Sequence, residues 1–562
     1  GKVAAGEDTF NRKKIEADLL EIYHSLVAHA KAVLLSQLAD QTEATRRLLA
    51  RFDGHYQRLK LMRRGLRFED VTRSLGVSPL VRQPDRLARR LDGRIAHLLL
   101  DEFQDTSLAQ WNVLASFAAQ VMAGGSFFCV GDAKQAIYGW RGGAAELFDT
   151  LQAEWQQVKA QSLARSFRSS PPVIATVNRV FGALESSPLL SHCRDAVAAW
   201  KRAFEEHSTE HVAMHGYVRM VSAPAAEEPT SQGETTLAFA AGEIARLAQE
   251  SPGRSIGVLV RDNNAVARLI YELRNKDVAA SEEGGNPLTD SPAVVAVLSL
   301  LRIADHPGDR VARFHVASSP LGAIVDFADY ANSAAAQRLS LEIRQSLLTR
   351  GYGGTLYRWA RRLAEACDER DANRLLQLVE LADRYQPDAT LRARDFIALV
   401  ETQRVEDRSR ADVRVMTIHQ SKGLEFDIVV LPQLDKKLTG QTPPVVVGRP
   451  APTAPIDRVC RYAKEGLRQL LPPAMQAAFA QYNEQQIRES LCVLYVAMTR
   501  AAHALHMIIA PSKSNEKQVP KQFSGILRAS LTTGDRVPPC TTLFEEGDAN
   551  WHERVQGSGF RV

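Results

Sequence analysis

Short apolar runs that end in polar residues recur along this chain, and helical stretches separate most of them. The run His97–Leu100 is followed by two carboxylates, and the run Phe127–Val130 is followed by a glycine and an aspartate. Buried parallel strands have this pattern, with functional groups at their carboxyl ends. Further strands are predicted over Ser162–Ala164, Tyr217–Val221, Ile256–Val260, Val413–Met416, Ile428–Leu431 and Leu505–Ile509. The predicted fold class is therefore α/β, with parallel sheets flanked by helices.

Two segments carry helical signals instead of strand signals. Residues 11–75 are predicted to be helical, because apolar positions from Ile15 to Leu26 recur with a period of about 3.6 residues. Between about 300 and 405 the strand signals fade, which predicts an all-helical insertion within the second α/β unit. Breaks rich in proline, glycine and small polar residues fall at 223–233, 281–292 and 440–456.

Length and composition limit the class of protein. A chain of 562 residues is too long for one core and indicates roughly three or four compact units. No stretch is apolar enough to span a bilayer, and the N-terminus has no signal-peptide core. The first residue is Gly1, which is compatible with a fragment. Six scattered cysteines without a C-x-x-C pair argue against a zinc site or a disulfide framework, and for a reducing cytoplasm.

Positive charge is concentrated near the N-terminus. The net charge is only +5, but residues 41–94 contain 14 Lys and Arg against 6 Asp and Glu. Arg63 and Arg64 lie within this basic segment. A basic patch is the electrostatic footprint of a polyanion partner. A solvated helix surface explains the same charge equally well.

The carboxylate pair Asp101-Glu102 lies where a predicted buried strand ends. Phosphoryl transfer from ATP to water needs one carboxylate to hold Mg²⁺ and another group to orient the attacking water. Two adjacent carboxylates at a strand end can do both. Most such pairs are polar surface, so the pair alone is weak support for a catalytic site.

The residues around this pair resemble those of a known family. Residues 99–106 read LLDEFQDT and residues 130–143 read VGDAKQAIYGWRGG, which resemble motifs II and III of UvrD-like superfamily 1A helicases. Further blocks agree in content and order. ARSFRS at 164–169 resembles motif IV, VRVMTIHQSKGLEF at 413–426 resembles motif V, and Glu489 with LYVAMTRA at 494–501 resembles motif VI.

The resemblance covers about residues 55–510 and implies the family's architecture of RecA-like P-loop NTPase domains with helical insertions called 1B and 2B. Residues 256–285 resemble the strand–helix unit that precedes 2B. The YVAMTRA spelling and the run HLLLDEFQDT are similar to the AddA/RecB branch, also called exonuclease V β-like.

The resemblance implies a role for each motif side chain. Asp101 would bind Mg²⁺, Glu102 would polarise water and Gln135 would sense the γ-phosphate of ATP. Glu425, with Gly423 before it, would touch the nucleotide ribose.

Two arginines complete the implied nucleotide site. Arg168 and Arg500 would be arginine fingers, since planar cations suit the charge spread over phosphoryl oxygens. Arg500 is expected to face a cleft. Surface ion pairs are the alternative interpretation of these charged residues.

A second group of side chains is expected to contact DNA. Tyr138, Trp140 and Arg141 closely follow the sensor glutamine, and aromatic rings stack on unpaired bases without regard to sequence. Such a ring would link the ATP state mechanically to the grip on DNA. Thr417 and His419 would lie along the strand path. The alternative for Trp140 is a position in the hydrophobic core. The alternative for His419 is an ordinary structural role.

The sequence also departs from the family pattern. No G-x-x-x-x-G-K-[ST] phosphate-binding loop occurs, and the family's adenine-contacting glutamine motif is absent. About 100 residues precede motif II, which is too few for the family's first domain. The GxxD…DxK pattern of the AddA/RecB nuclease domain is also absent. These departures predict that the chain lacks the N-terminal segment of the motor.

The predicted organisation has six parts. They are a basic helical 1B remnant (1–94), the C-terminal part of a first RecA-like domain (95–160), the first part of a second RecA-like domain (161–300), a helical 2B-like insertion (301–405), the second part of that domain (406–512) and an irregular tail (513–562).

The predicted function is that of an ATP- and Mg²⁺-dependent 3′→5′ DNA helicase or translocase within an exonuclease V-like repair complex. Single-stranded and duplex DNA are the expected substrates, and a second subunit resembling AddB or RecC is the expected partner. One alternative is a catalytically inactive DNA-binding or scaffold protein of such a complex. Another is a single-strand binder that uses the aromatic residues alone, with no ATP dependence of its DNA affinity.

Overall fold

The structure of the chain is a computed structural model. The structure describes residues 8–554 except 11–12, 80, 82, 84–85, 87–88, 91, 283–285, 391, 406–411 and 534–535. It contains two compact units. The first comprises Gly1–Glu243, Leu259–Arg261 and Ser421–Val562, and the second comprises Ile244–Val258 and Asp262–Gln420.

The predicted N-terminal helix is present as two helices, Ala17–Arg63 and Phe68–Val77, after a short hairpin of Thr9–Phe10 and Lys13–Lys14. The long helix ends at Arg63 and is capped by Arg64, whose backbone is left-handed (φ 50°), and Gly65 N–H donates to the Lys60 carbonyl at 3.0 Å. Leu38 is the buried residue of the long helix and packs with the hairpin Val445–Gly448/Arg458–Arg461. Most of this helix is therefore exposed.

The strands that carry the first two motifs form a parallel pair, His97–Leu100 with Ser126–Cys129. The second strand begins and ends one residue earlier than the sequence predicts. The helix Leu108–Met122 connects the two strands, and Ser107 and Gln110 close its first turn as a capping box. Phe103, Trp111 and Leu147, on the helix Leu147–Glu154, form the core beneath this pair.

A seven-stranded sheet contains the later motifs. Its strands are, in order across the sheet, Thr542–Gly547, Tyr217–Ser222, Ala501–Ile509, Phe426–Leu431, Ile256–Val260, Val413–Thr417 and Ala280–Glu282. Three neighbouring pairs are parallel, namely Ala501–Ile509 with Tyr217–Ser222, Ala501–Ile509 with Phe426–Leu431, and Val413–Thr417 with Ala280–Glu282. The edge strand Thr542–Gly547 runs antiparallel to Tyr217–Ser222. Four predicted strands are confirmed with one end extended by one to four residues, and Ile256–Val260 is confirmed at both ends.

The remaining elements of the first unit surround these strands. The strand predicted over Ser162–Ala164 is wrong, because the structure instead pairs Arg165–Ser166 with Ser208–Thr209. These two-residue strands are polar and give no hydrophobic signal. The helices are Pro171–Gly182, Arg194–Ala203, Gln232–Glu250 (which continues into the second unit), Glu465–Arg468, Pro473–Met498, Phe523–Leu531 and Trp551–Arg554.

The second unit is mainly helical, as the sequence predicts for residues 301–405. Its helices are Asn263–Arg274, Pro292–Asp305, Arg310–Ala317, Pro320–Ile324, Ser333–Leu363, Glu369–Tyr385 and Ala393–Thr402. All of these helices except Asn263–Arg274 contribute buried residues to one apolar cluster, which is built around Pro292–Asp305, ten of whose residues are buried. The short strands Asn286–Pro287 and Arg404–Val405 pair antiparallel at the two ends of the helical segment. Its correspondence to 2B stays a prediction.

The segment after residue 512 is more regular than the sequence suggests. The helix Phe523–Leu531 is mostly buried, and the strand Thr542–Gly547 pairs with Tyr217–Ser222. The ring of Trp551 stacks on His503, with centroids 4.7 Å apart. This segment is therefore part of the α/β unit and not an irregular tail.

All six cysteines are free thiols. Among the residues that the structure describes, no helix is both long enough and apolar enough to cross a membrane.

Candidate functional site

The carboxylate pair lies at the carboxyl end of His97–Leu100, with both residues exposed. Glu102 has a left-handed backbone (φ 50°, ψ 40°), which costs a non-glycine residue free energy and is common where side-chain direction matters. Asp101 Oδ1 accepts a hydrogen bond from Glu102 N–H at 2.8 Å. The two side chains therefore lie on a tight turn at the carboxyl end of the strand His97–Leu100.

Gln135 ends a 3₁₀ turn, Ala133–Gln135, that follows the second strand of the pair. Its amide nitrogen donates to Asp132 Oδ2 at 3.0 Å. Its amide oxygen accepts from Arg500 Nη2 at 3.4 Å. The predicted sensor and one predicted finger are thus in contact.

Arg500 lies at the end of the helix Pro473–Met498 and is 2% exposed. Its guanidinium donates to the carbonyls of Val496 (3.1 Å) and Leu424 (3.3 Å). Burial, with the nearby charge of Arg168, lowers the pKa of Arg500 to about 10. The expectation of an Arg500 side chain open to a cleft is therefore wrong, because the side chain is buried against its own helix and the segment of motif V.

Arg168 and Glu425, predicted to contact different parts of the nucleotide, form an ion pair. Arg168 Nε lies 2.9 Å from Glu425 Oε2, and the Glu425 side chain remains 65% exposed. Gly423, two residues earlier, is exposed and has a positive φ of 84°. In this structure Glu425 therefore forms a surface ion pair, which is the alternative interpretation of this charged residue. Its carboxylate remains exposed.

Lys422 is a residue whose contacts the sequence did not predict. Its Nζ lies 2.6 Å from Asp105 Oδ2 and 3.1 Å from Glu102 Oε2, and its side chain is 7% exposed. Desolvation raises the pKa of Asp105, and the Lys422 charge opposes that rise. Motif V thereby contacts the carboxylates of motif II. Only the position of Lys422 within motif V could have suggested this.

The aromatic residues after the sensor are accessible. Trp140 is 65% exposed, which excludes the core alternative, and the Arg141 guanidinium lies 4.6 Å from its ring centroid. Tyr138 is half-buried, with Lys422 Nζ 5.3 Å from its ring. A Cβ at Gly139 would meet Glu489 Oε1 at 2.0 Å, so the backbone of motif III lies in close contact with the Glu489 side chain of the motif VI helix.

The other predicted DNA contacts belong to other elements. Thr417 and His419 belong to the second unit and are half-buried in the turn after Val413–Thr417, where the Thr417 hydroxyl donates to Gln420 at 2.8 Å. Arg63 and Arg64 are exposed at the end of the long N-terminal helix. The structure does not bring these two arginines to the carboxylate pair.

Cavity size does not identify the site. A depression of about 650 Å³ along the helix Pro171–Gly182 contains none of the predicted residues. A depression of about 550 Å³ is lined by Asp101 and Glu102, with Thr72, Leu75 and Gln110 on its other walls. We assign the candidate site to the carboxylate pair on the wall of the second depression, because adjacent carboxylates at a strand end can hold a metal and orient water. Gln135, Arg168 and Arg500 are not among the residues that line this depression.

The donor set fits a nucleotide with a divalent metal. Mg²⁺ is usually held by one or two carboxylates together with substrate phosphates. Asp101 provides such a carboxylate, and the described residues contain no group of three or more His, Cys, Asp or Glu that could hold a metal by themselves. The partly exposed Arg168 adds a cation suited to phosphoryl oxygens, whereas Arg500 is buried in this structure.

Comparison with protein families gives two matches. The family described as UvrD/REP helicase N-terminal domain matches residues 3–156, and the UvrD-like helicase C-terminal domain matches residues 332–512. Together the two matches cover more than half of the chain.

Curated relatives agree with these matches. An ATP-dependent helicase/nuclease subunit from Desulforudis audaxviator is 25% identical, over 96% of this chain and 50% of its own length. The protein of the same name from Listeria welshimeri is 24% identical, over 88% and 46%. The RecBCD enzyme subunit RecB of Haemophilus influenzae is 24% identical, over 80% and 39%. The chain thus spans about half the length, or less, of the relatives it matches.

Proposed function

This chain belongs to the UvrD-like helicase family, and from that premise we propose that it is the motor of an ATP-dependent 3′→5′ DNA helicase or translocase. Its relatives are named as subunits of helicase/nuclease and RecBCD enzymes, which supports a place in an exonuclease V-like repair complex. A second subunit similar to AddB or RecC is part of this proposal.

One observation carries the proposal, namely the convergence of motifs II, III, IV, V and VI. Glu102 meets Lys422, Gln135 meets Arg500, and Arg168 meets Glu425, so residues more than 250 positions apart surround one site. An ordinary surface does not require these groups together. A site for the polyphosphate of ATP does.

The proposed roles follow from the side chains. Asp101 would hold Mg²⁺, and Glu102 would orient the attacking water and accept its proton. Gln135 would contact the γ-phosphate, while Arg168 and Arg500 would stabilise the charge that develops on it. When bound, Mg²⁺–ATP supplies the phosphoanhydride bond whose hydrolysis drives movement. Gly423 and Glu425 would lie at the ribose, where Arg168 now pairs with the Glu425 carboxylate.

The same site adjoins a proposed DNA surface. Trp140 follows Gln135 closely in the chain, and both lie in short 3₁₀ turns of one segment. A shift of Gln135 on γ-phosphate loss would therefore reach Tyr138, Trp140 and Arg141 over a short distance. Stacking of Trp140 on bases would turn that shift into movement along a strand. Thr417 and His419 are proposed to contact the strand, and Arg63 and Arg64 the duplex.

Strand displacement by the natural full-length protein tests the function. We expect ATP-dependent unwinding of a duplex with a 3′ single-stranded tail and little unwinding of the matched duplex with a 5′ tail. Equal unwinding of both would refute the polarity. DNA binding without ATP hydrolysis would favour the inactive scaffold instead, and an affinity independent of ATP would favour a simple single-strand binder.

A further inference from the structure

Gln104 belongs to motif II, and its buried side-chain amide contacts motif III. It has no role in the proposed function. It is 1% exposed and lies in the 3₁₀ turn Phe103–Asp105. Its Nε2 donates to Glu102 Oε2 at 2.5 Å, and its Oε1 accepts from Asp132 N–H at 3.0 Å. A backbone N–H can only donate, so the amide oxygen must face Asp132 and the NH₂ group must face Glu102.

Asp132 continues the connection toward the sensor. Its Oδ2 accepts from Gln135 Nε2 at 3.0 Å, and its Oδ1 lies 2.8 Å from Lys134 Nζ. The amide oxygen of Gln135 then accepts from Arg500 at 3.4 Å. An arginine can only donate, so the orientation of the Gln135 amide is also determined. Glu102, Gln104, Asp132 and Gln135 thus form one directed hydrogen-bond chain, here called the relay.

The packing around the relay leaves it little freedom. A Cβ at Gly131 would lie 2.1 Å from Gln104 Oε1, so the backbone is in close contact with this amide. Lys134 is fixed at the other side, because its Nζ also donates to the Ala203 carbonyl at 3.3 Å and lies 5.7 Å from the Tyr495 ring centroid. Tyr495 belongs to the helix that ends near Arg500.

We propose that Gln104 is a positioning residue that, through the relay, holds the Glu102 carboxylate and the Gln135 amide as one unit. This inference rests on the proposed function. Glu102 is half-exposed, and apart from Gln104 its carboxylate is held by the Lys422 ammonium, a cation without directional preference, at 3.1 Å. The Gln104 amide adds a directed hydrogen bond, and a carboxylate with a fixed orientation directs water better than one that rotates. The relay ties the orientation of Glu102 to that of the amide that contacts the γ-phosphate. Loss of that phosphate would then displace the water-orienting group together with the sensor.

The first test substitutes Gln104→Leu in the natural full-length protein. The change keeps a similar volume and removes both hydrogen bonds. We expect kcat for ATP hydrolysis with saturating single-stranded DNA to fall about 10- to 100-fold, the usual effect of losing a group that orients a catalytic residue, while KM changes less than about threefold. Gln152→Leu, on an exposed surface of the helix Leu147–Glu154, is the matched control and should leave kcat unchanged.

A double-mutant cycle separates positioning from packing. If Gln104 acts through Glu102, Gln104→Leu should slow single-turnover hydrolysis less than about threefold when Glu102→Gln is already present. Losses that multiply in the double variant would overturn the proposal, since Gln104 would then act independently of Glu102.

Gln104→Glu covers the case in which the leucine variant does not fold. It keeps the shape and the acceptor for Asp132 N–H but removes the donor to Glu102. Because the relay is then broken at Glu102, kcat should fall about 10- to 100-fold while KM changes less than about threefold. A kcat and a KM equal to those of the wild type would mean that Gln104 only fills space, and would overturn the proposal.

Failure of the relay and failure of the proposed function give different results. If the wild type hydrolyses ATP and Glu102→Gln abolishes turnover, but both Gln104 variants behave like Gln152→Leu, only the relay is wrong. If the wild type shows no hydrolysis under any DNA condition, the proposed function itself fails and the relay with it.

Discussion

Arg500 holds its guanidinium by hydrogen bonds to two backbone carbonyls, so removing it would cost packing as well as charge. We expect Arg500→Ala in the natural full-length protein to lower ATP turnover by about 10³- to 10⁵-fold, the range for arginine fingers, and also to lower Tm. Arg500→Lys keeps the charge but not the planar donors, and should lose most of the turnover with a smaller change in Tm. Steady-state phosphate release and thermal melting measure the two effects.

Arg246→Ala is the matched control for this prediction. Arg246 forms an exposed ion pair with Glu250 one helical turn away, and such pairs contribute little to stability. Its turnover should equal that of the wild type. A loss below about tenfold in both Arg500 variants would mean that Arg500 serves structure alone.

Trp140 offers an exposed ring that already carries one cation, the guanidinium of Arg141. Base–aromatic stacking is worth about 1–3 kcal/mol, so Trp140→Ala should weaken single-strand affinity roughly 5- to 150-fold and uncouple translocation from hydrolysis. Fluorescence anisotropy with labelled oligonucleotide measures the affinity. Tyr271→Ala removes a comparably exposed ring from the helix Asn263–Arg274 and should leave affinity unchanged. Equal affinity in all three proteins would exclude stacking by Trp140.

Some site contacts could be predicted from sequence and others could not. Asp101 and Glu102 follow an apolar strand, which places them at a sheet edge by pattern alone. The contacts of Gln104 with Asp132 and of Lys422 with Asp105 join residues far apart in sequence. Such contacts depend on strand register and loop path, for which spacing gives no signal. The burial of Arg500 depends on the same tertiary packing.

At the scale of elements, apolar strands were predicted well and polar edge strands were not. Ile256–Val260 is buried on both faces, so its sequence is continuously apolar. Thr542–Gly547 lies at the sheet edge and carries Glu545 and Glu546, which mask the strand pattern. The two-residue strands at Arg165–Ser166 and Ser208–Thr209 are too short and polar for any periodicity to appear.

The long N-terminal helix is less uniformly basic than its composition suggests. Arg46 and Arg47 both pair with Glu43, at 2.7 and 2.9 Å, and Lys60 pairs with Asp70 at 2.6 Å. Among the described residues, Arg63 and Arg64 form no ion pair, and both are exposed. Free cations near the helix end are therefore the best candidates for phosphate contacts.

Charge reversal at Arg63 and Arg64 tests that assignment. Each phosphate contact contributes about 0.9 to the slope of log affinity against log salt concentration, so Arg63→Glu/Arg64→Glu should flatten the slope by about 1–2 on duplex DNA with a single-stranded tail. Arg46→Glu/Arg47→Glu changes the net charge equally but alters side chains already paired with Glu43, so its slope should change less. Identical slopes for both double variants and the wild type would mean that this helix is a solvated surface and that Arg63 and Arg64 make no phosphate contacts.

At the scale of the whole molecule, the isolated 562-residue chain is expected to bind ATP weakly and to show no DNA-stimulated hydrolysis. The β- and γ-phosphates need a cradle of backbone N–H groups and a lysine, and this sequence has no G-x-x-x-x-G-K-[ST] segment. Leu99 and Phe128, paired on one face of the first strand pair, are 70% and 59% exposed, which should also lower the stability of that part. Salt-sensitive DNA binding should persist.

Calorimetry with ATP and Mg²⁺, and phosphate release with single-stranded DNA, test the isolated chain. Weak or undetectable heat and no turnover are expected. Robust turnover by these 562 residues would mean that the nucleotide site has been placed wrongly.

The most direct test of the nucleotide site is Glu102→Gln in the natural full-length protein. The substitution keeps the shape of the side chain and removes the charge that orients water, so ATP affinity should stay within about threefold while DNA-stimulated turnover falls by about 10²-fold or more. Glu154→Gln, an exposed glutamate at the end of the helix Leu147–Glu154, is the matched control and should turn over normally. Near-normal turnover in Glu102→Gln would contradict the assignment of this carboxylate pair as the catalytic centre.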